Sequence, residues 1–391
     1  DPIEPWIDGE WVKAKDTTLG ADCGIGMAAA LAVLLDESLE HPAIEALFTV
    51  DEETGLTGAF GLGEGMLTGK YLINLDSEDE GEIFVGCAGG VDTTCVFKYN
   101  NAEVPANYHY FKINIEKGQG GHSGCDIHLG RANANKLLAR FLWGISQKME
   151  MVLAEIGGGN LRNAIPRDAF AVFGVPIADK EDVRVAMNHF IADVENEYKD
   201  IEPTLTITLE SADKPATRID SVTADCLIGA LYSAPHGVIS MSRELEGLVE
   251  TSTNLAAVKM MPKNEILVTT SQRSSVDSRK WDIARQVEAL FALAGATVTH
   301  GDGYPGWAPN MKSPIMVIAR DAYAELYQIT PAIKAIHAGL ECGLFTEKFP
   351  GLDMVSFGPT LRGVHAPGER LDLASLDKFV ALLVDVIQNY K

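Results

Sequence analysis

Helix-type and strand-type hydrophobic patterns alternate in the first eighty residues of the chain, and this alternation constrains the fold more than any other feature. From Gly24 onward apolar residues follow helical spacing, and the nine-residue apolar run 27–35 predicts a buried helix. Short apolar runs at 44–50 and 71–75 predict strands, and acidic residues follow each run at once. Such alternation is typical of α/β proteins. We therefore expect a parallel sheet in this part of the chain.

The pattern changes after Gly81 and returns to alternation in the last ninety residues. Between residues 93 and 300, strands occur in pairs with long helical segments between them, which is typical of an α+β sandwich. The predicted strands of this region are 110–115, 170–175, 204–209 and 266–270. Its predicted helices are 131–147, 180–197, 224–234 and 281–294.

The last part of the chain resembles the first in its pattern. We predict a helix at 313–328, a strand at 354–357 and a closing helix at 376–390, with Ser375 placed to cap that helix. A chain of 391 residues is too long for one hydrophobic core, because single cores stop growing beyond roughly 250–300 residues. We predict a discontinuous α/β domain of residues 1–92 and 301–391, into which an α+β domain of residues 93–300 is inserted.

The charge and the cysteines narrow the class of protein. The formal net charge of −23 argues against a nucleic-acid partner, because that affinity comes mainly from clustered Lys and Arg. The longest apolar run is far shorter than the ~20 residues that span a bilayer, and the start of the chain lacks a signal-peptide pattern. The six cysteines form no C-x-x-C pair, which indicates reduced thiols. We expect a cytoplasmic protein with no nucleic-acid or membrane partner.

Acidic residues occur at the ends of predicted strands or turns in four places. These are Asp22 in a glycine-rich turn, Glu52 and Glu53 after the first predicted strand, Asp76 after the second, and Glu369 beside His365. In open α/β sheets, ligands gather outside the carboxyl ends of the strands, so we expect the four places to converge. Carboxylates with an imidazole suit a divalent ion of the zinc, manganese or cobalt type.

The paired glutamates point to hydrolysis. Neighbouring residues in an extended chain point to opposite sides, so one of Glu52 and Glu53 can bind metal while the other faces an attacking water. One carboxylate shared by two ions would hold them ~3.5–4 Å apart, as in two-metal hydrolases. Each acidic cluster alone would more simply be a solvated turn, and it is their combination that predicts a site.

Other motifs could suggest nucleotide binding or cysteine-based catalysis, but the sequence favours neither. Residues 118–124 lack the Lys-Ser/Thr ending of a P-loop and so do not predict nucleotide binding. His128, His337 and Cys342 are candidates for a cysteine–histidine nucleophile, but that chemistry would leave the acidic clusters without a role. Tyr304 lies in a turn at the predicted domain junction, where we expect it to serve packing rather than substrate contact.

Seven segments spread over nearly the whole chain carry a resemblance to a known family. They are 19–22 (LGAD), 52–53 (EE), 74–78 (NLDSE), 120–124 (GGHSG), 161–167 (LRNAIPR), 337–343 (HAGLECG) and 356–359 (SFGP). On these motifs the sequence resembles the bacterial aminoacylhistidine dipeptidases, within the zinc metallopeptidase family that also holds carnosinases, aminoacylases and deacetylases. The resemblance implies an α/β/α catalytic domain with an inserted α+β lid domain, and homodimers formed through the lid.

The resemblance also implies a two-metal catalytic centre. Asp22 would bridge two zinc ions, with Co²⁺ or Mn²⁺ as possible substitutes. Glu53 and His365 would complete the ligands of one ion, and Asp76 would bind the other. Glu52 would be the general base, taking a proton from water and delivering it to the leaving amine. The implied reaction is hydrolysis of unblocked dipeptides with broad specificity, including Xaa-His substrates such as β-alanyl-histidine.

Substrate contacts are implied for four further residues. His122, in the lid, would stabilise the oxyanion, while Asn163 and Arg273 would hold the substrate's free carboxylate or carbonyl. Gly339 would approach the substrate with its backbone. An arginine fork suits a carboxylate better than lysine does, which favours a dipeptidase over an endopeptidase.

The chain departs from the family at one motif. Family members carry an H-x-D motif upstream of the bridging aspartate, whereas this chain has no histidine before His41. We expect that the segment with this motif is omitted from the chain. Two other functions remain open, a non-hydrolysing homologue that binds peptides or metal and a deacylase acting on N-acyl amino acids. The resemblance further implies a cis peptide bond after Asp22, at Cys23.

Overall fold

The computed structural model describes residues 2–63 and 65–389. Its strands are β1 (Pro5–Asp8), β2 (Trp11–Ala14), β3 (Tyr71–Asn74), β4 (Glu82–Cys87), β5 (Gly89–Lys98), β6 (Asn101–Ala102), β7 (Tyr108–Glu116), β8 (Val152–Gly158), β9 (Ala169–Pro176), β10 (Thr206–Ala212), β11 (Arg218–Ile219), β12 (Gly237–Met241), β13 (Val249–Met261), β14 (Glu265–Ser274), β15 (Thr297–His300), β16 (Ala332–Ile336), β17 (Asp353–Ser356), β18 (Leu361–Arg362) and β19 (Arg370–Asp372). Its α-helices are α1 (Ala21–Leu35), α2 (Glu52–Gly55), α3 (Thr57–Gly61), α4 (Ala134–Ser146), α5 (Lys180–Tyr198), α6 (Ser221–Ser233), α7 (Asp277–Leu293), α8 (Pro314–Tyr327), α9 (Glu341–Lys348) and α10 (Leu373–Asn389).

The chain divides into two compact units. Unit 1 holds the residues up to Ala88, Arg243–Leu248 and the residues from Pro305 onward, and unit 2 holds Gly89–Ser242 and Val249–Tyr304. The two main boundaries lie four residues from those expected at 92/93 and 300/301. The short stretch Arg243–Leu248 was not anticipated in unit 1. It belongs there because Leu245 packs against the hydrophobic core of that unit.

Unit 1 is built on a four-stranded sheet with the order β16-β4-β17-β3. Helices α1, α8 and α10 contribute to its core, through residues such as Val33, Ile315 and Phe379. The strand pairs β16/β4 and β17/β3 are parallel, as the sequence predicts, but Ser356 pairs with Phe84 in the antiparallel sense. The sheet is therefore mixed rather than wholly parallel. A second, antiparallel sheet has the order β1-β2-β19-β18.

Two expectations for the start of unit 1 are wrong. Residues 44–50 do not form a strand: in the described part of the chain no strand pairs with them, and Val50 is 71% exposed. Helix α1 forms where the periodicity predicts it but is not buried all round. It packs on the core through Ala29 and Val33, whereas Leu35 is 79% exposed.

The last two long helices of unit 1 begin at side-chain caps. Ser313 accepts a hydrogen bond from the backbone N–H of Met316 (3.2 Å), which fixes the start of α8 as expected. Ser375 does not cap α10. The Asp372 carboxylate accepts the backbone N–H of Ser375 (2.7 Å), so the helix begins earlier than predicted. The predicted last residue of that helix, Tyr390, lies outside the described residues.

Unit 2 contains a nine-stranded sheet in which β10-β7-β9-β8-β13-β14-β5-β15 lie in that order and β12 pairs with β13. The pairings of these strands are antiparallel, and helices α4 to α7 contribute to the hydrophobic core on it. The predicted strands at 110–115, 170–175, 204–209 and 266–270 are confirmed, as are the four predicted helices, to within a few residues. Strand β14 of the long hairpin β13–β14 carries Arg273, and strand β5 pairs with it.

In the part of the chain that the structure describes, no helix has both the length and the apolar character needed to cross a bilayer.

Candidate metal centre and substrate-binding residues

Three candidate metal ligands meet in unit 1. Nε2 of His365 lies 2.9 Å from an oxygen of Asp22 and 2.9 Å from an oxygen of Glu53. The possible ligand atoms of the three side chains all lie within 4.8 Å of one another. Two carboxylates and an imidazole form a donor set that zinc accepts. These residues stand 31 and 312 positions apart along the chain (53 − 22 and 365 − 53), so the fold has to bring them together.

Asp76 is a second acidic neighbour of Asp22. It follows strand β3, and its backbone N–H donates to Oδ1 of Asn74 (3.1 Å), which fixes the turn. The side chains of Asp76 and Asp22 are hydrogen-bonded to each other. Burial and the negative charge of Asp22 together raise the pKa of Asp76 well above its usual range. Asp22 therefore contacts His365 and Asp76 at once, which is the arrangement a shared ligand requires.

The pKa values of the neighbouring acids reflect a concentration of negative charge. Burial and the carboxylate of Asp22 raise the pKa of Glu53 and of Glu78. Burial alone would lower the pKa of His365, but the charges of Glu53 and Asp22 outweigh it and raise that pKa. Acids that hinder one another's ionisation are stabilised by a cation between them. The donor set of this cluster thus fits a divalent metal.

The paired glutamates adopt a different backbone from the one predicted. Glu52 and Glu53 begin the short helix α2, so they do not point to opposite sides of an extended strand. They still diverge, because successive helical residues are rotated by about 100°. Glu53 reaches His365, while burial and the charges of Glu53 and Glu341 raise the pKa of Glu52 to about 7. A carboxyl group that titrates near neutral pH suits general acid–base catalysis.

Glu341 is a functional candidate to which the sequence assigned no role. It begins helix α9, is buried, and forms a side-chain hydrogen bond with Thr49. Burial raises its pKa, and its charge contributes to the raised pKa of Glu52. Glu341 belongs to the HAGLECG segment, and its place in this family motif is the sequence feature that could have indicated a functional role. Gly339, in the same segment, lies half-buried in the loop between β16 and α9.

Glu369 holds the turn that carries Asp22. Its side chain is 2% exposed, and its carboxylate accepts the backbone N–H groups of Gly20 (2.8 Å), Ala21 (2.8 Å) and Asp22 (3.2 Å). Because Glu369 and His365 lie on the same loop, this one carboxylate ties the loop of one candidate ligand to the turn of another. The peptide bond between Asp22 and Cys23 is cis, as the resemblance implies.

We expect Glu369→Gln to weaken zinc binding by about 10–100-fold, the range typical for residues that orient metal ligands. The amide keeps the size of the side chain but loses the charge and one acceptor oxygen, so the three N–H groups are no longer all satisfied. Zinc affinity is measured by competition with a chromophoric chelator. Glu325→Gln, at an exposed position of α8, is the matched control. Equal zinc affinity in Glu369→Gln and the control would contradict this role.

In unit 2, His122 lies in the glycine-rich turn after β7. Its Nδ1 accepts the backbone N–H groups of Gly124 (3.3 Å) and Cys125 (3.0 Å), so in the neutral ring the proton is on Nε2. The turn is held from the other side, because the Asp126 carboxylate accepts the backbone N–H of His122 (2.8 Å). Burial and the positive charge of Arg273 lower the pKa of His122. These two effects favour the neutral imidazole, which can donate a hydrogen bond from Nε2.

The other two predicted substrate residues of unit 2 are close to this turn. The backbone carbonyl of Asn163 accepts the N–H of Ser123 (2.8 Å), and the Asn163 side chain is exposed. Arg273, on β14, is 8% exposed, and its Nη1 donates to the Tyr304 hydroxyl (3.1 Å). Its Nε is buried and has no hydrogen-bond partner among the described residues. A buried guanidinium N–H without an acceptor is the feature expected of a group that binds an anionic ligand.

The nine predicted site residues therefore form two groups. In unit 1 the structure gathers Asp22, Glu52, Glu53, Asp76 and His365, and it places Gly339 in a loop of the same unit. In unit 2 it gathers His122, Asn163 and Arg273. Of the cysteine–histidine candidates, Cys342 is fully buried, and burial raises its pKa far above its usual range, which makes it a poor nucleophile.

Comparison with known proteins identifies the family of the chain. The model of peptidase family M20/M25/M40 matches residues 18–389 of the chain. The chain therefore belongs to this family of peptidases, and the resemblance drawn from its motifs is confirmed.

Two relatives are similar over the whole of this chain. It is 45% identical over 390 residues to the cytosol non-specific dipeptidase of Escherichia coli (strain K12), covering 100% of this chain and 80% of that protein. It is 44% identical to the aminoacylhistidine dipeptidase from Vibrio alginolyticus, whose crystal structure matches with a TM-score of 0.95, covering 99% of this chain and 79% of that one. The predicted fold class, an α/β peptidase fold with two domains, is thereby confirmed.

A more distant structure shares the fold alone. The aminopeptidase PepT from Bacillus cereus is 17% identical, with a TM-score of 0.52, covering 99% of this chain and 76% of that one.

Proposed function

We propose that this protein is a metal-dependent dipeptidase that hydrolyses unblocked dipeptides with broad specificity, Xaa-His substrates included. The proposal depends on one observation: possible ligand atoms of Asp22, Glu53 and His365 lie within 4.8 Å of one another, and Asp76 is hydrogen-bonded to Asp22. The two relatives similar over the whole chain are both named dipeptidases, which supports the same reaction.

The metal is proposed to be zinc, two ions for each protein molecule, with Co²⁺ or Mn²⁺ as substitutes. Asp22 would serve both ions, Glu53 and His365 one of them, and Asp76 the other. Such ions act as Lewis acids that polarise a carbonyl and lower the pKa of water. The sharing of Asp22 is supported by its contacts with both His365 and Asp76.

Glu52 is proposed as the general base. Its carboxylate would take a proton from the attacking water and pass it to the nitrogen of the leaving amine when the peptide bond breaks. The raised pKa of Glu52 supports this role, because a stronger carboxylate base accepts a proton more readily. Its neighbour Glu53 contacts His365, so one of the two adjacent acids would bind metal and the other would accept the proton.

Residues of unit 2 are proposed to recognise the polar groups of the substrate. Nε2–H of His122 would donate to the oxyanion, since Nδ1 is occupied by backbone N–H groups. Arg273 would bind the free carboxylate through its unpartnered Nε, and the exposed Asn163 would assist it. Gly339 of unit 1 would contact the substrate with its backbone. With these roles, unit 1 would be the catalytic domain and unit 2 a lid.

The cellular compartment and the oligomeric state of the protein are also proposals. We propose that it acts in the cytoplasm as a homodimer formed through the lid. The cytosolic name of the Escherichia coli relative and the absence of C-x-x-C pairs support the compartment. The family resemblance supports the dimer.

The direct test is an assay of the protein, expressed from its complete gene and loaded with zinc or cobalt, on glycyl-histidine and β-alanyl-histidine. Two blocked forms of the same dipeptide, N-acetylated and C-amidated, are the controls. We expect hydrolysis of the free dipeptides and at least about tenfold slower hydrolysis of the blocked ones, because a charge-assisted hydrogen bond is worth about 1.5–3 kcal/mol. Preference for the N-acetylated form would instead identify a deacylase, and binding without turnover a non-hydrolysing homologue.

A further inference from the structure

Arg273 depends on a single partner for its orientation. The guanidinium is nearly enclosed, yet among the described residues its one hydrogen bond is from Nη1 to the Tyr304 hydroxyl (3.1 Å). Its Nε lies buried with no acceptor in the described part of the chain. A long side chain with one anchor and one unsatisfied donor is held for a ligand rather than for packing, because packing alone would leave the desolvated N–H at a cost.

The backbone of Tyr304 is held in place by several hydrogen bonds. Its backbone N–H and carbonyl bond to the carbonyl and N–H of Gly90 (2.8 and 3.1 Å). The carbonyl also accepts a hydrogen bond from Nζ of Lys280 (2.6 Å), a lysine that is 2% exposed. Three hydrogen bonds therefore set the position of the Tyr304 backbone.

Gly90 lets the tyrosine ring and the guanidinium meet. Gly90 pairs with Arg273 across β5 and β14, and a Cβ at Gly90 would lie 2.8 Å from the Tyr304 ring and from its hydroxyl oxygen. The tyrosine ring therefore packs directly on the backbone of Gly90, which is the strand neighbour of Arg273. A larger residue at position 90 would displace the hydroxyl from Nη1.

We propose that Tyr304 is a positioning residue for substrate recognition, its hydroxyl holding Nη1 of Arg273 so that Nε–H faces the free carboxylate of a dipeptide. This rests on the proposed dipeptidase function. An oriented guanidinium binds a carboxylate through two parallel N–H groups, whereas a freely rotating one loses that geometry. The expected packing role of Tyr304 is thus extended to one in specificity.

The test is Tyr304→Phe, which removes the hydroxyl and keeps the ring. We expect KM for a dipeptide with a free carboxylate to rise about tenfold with kcat within about twofold, because the carboxylate contact is made equally in ground and transition states. Tyr110→Phe is the matched control. Tyr110 is a buried tyrosine of unit 2 whose hydroxyl donates one hydrogen bond, to the carbonyl of Pro105 (3.3 Å), whereas Tyr304 is partly buried.

A second comparison separates positioning from a general structural effect. In an Arg273→Gln background, Tyr304→Phe should change KM by less than about twofold, because the group it positions is gone. A Tyr304→Phe enzyme with the KM of wild type, or an equal effect in both backgrounds, overturns the proposal. If the wild-type enzyme hydrolyses no dipeptide, the proposed function fails and this role fails with it. Activity in wild type with no effect of Tyr304→Phe removes only the positioning role.

Discussion

Glu52→Gln is expected to lower kcat for dipeptide hydrolysis by about 10²–10⁴-fold, the contribution typical of a general base. The amide has nearly the size of the carboxylate, so it fills the same space but accepts no proton. It also removes one charge from a crowded acidic cluster, in which burial and neighbouring carboxylates raise the pKa of Glu52 to about 7. The loss of rate is therefore not expected to come from a loss of folding. Steady-state kinetics with zinc-loaded protein measure it.

The zinc content of Glu52→Gln distinguishes a base from a metal ligand. We expect the variant to bind as much zinc as wild type, since Glu53 and not Glu52 contacts His365. Glu347→Gln, at an exposed position of α9, is the control and should retain full activity. A Glu52→Gln enzyme with turnover within tenfold of wild type would show that another group accepts the proton.

Asp22→Asn is expected to have a wider effect, because it removes the group that contacts both His365 and Asp76. We expect the zinc content to fall below one ion for each protein molecule. Turnover should fall by more than about 100-fold, beyond the 10–100-fold typical of residues that only orient ligands. Elemental analysis after dialysis against a fixed free-zinc concentration gives the first quantity, and the dipeptide assay gives the second.

The matched control for this change is Asp36→Asn, which lies just after the other end of the same helix and is exposed. It should bind zinc as wild type does. If Asp22→Asn lost one ion and retained the other at wild-type affinity, Asp22 would serve a single metal, and the shared-ligand arrangement would be wrong.

The long elements of this fold can be predicted from the sequence because their periodicity persists over many residues. Helix α5 follows the pattern predicted for 180–197 to within one residue at each end. The short apolar run at 44–50 gave no such guidance. Seven residues have the same pattern whether they form a strand or a surface segment, and only the presence of a neighbouring strand decides between them.

In the candidate site, too, some features could be predicted from the local sequence pattern and others could not. The convergence of the acids and the late histidine is predicted from the rule that the carboxyl ends of strands share one edge of a sheet. The structure brings them together, but of the acids only Asp76 follows a strand, since Asp22 lies at the start of α1 and Glu52 and Glu53 begin α2. The roles of Glu369 and Tyr304 could not be predicted. The hydrogen bonds of Glu369 to residues 20–22 join positions nearly 350 residues apart, and the bond from Arg273 to Tyr304 depends on the absence of a side chain at Gly90. Contacts of this kind are set by packing rather than by local pattern.

In the proposed metal centre, Asp22 is shared by two cations, of which one is bound by Glu53 and His365 and the other by Asp76. Anomalous X-ray diffraction at the zinc absorption edge, from crystals of the zinc-loaded protein, distinguishes this arrangement from a single-metal site. We expect two anomalous peaks, both within coordination distance of the Asp22 carboxylate. A single peak, or peaks whose ligands do not include Asp22, would contradict this arrangement.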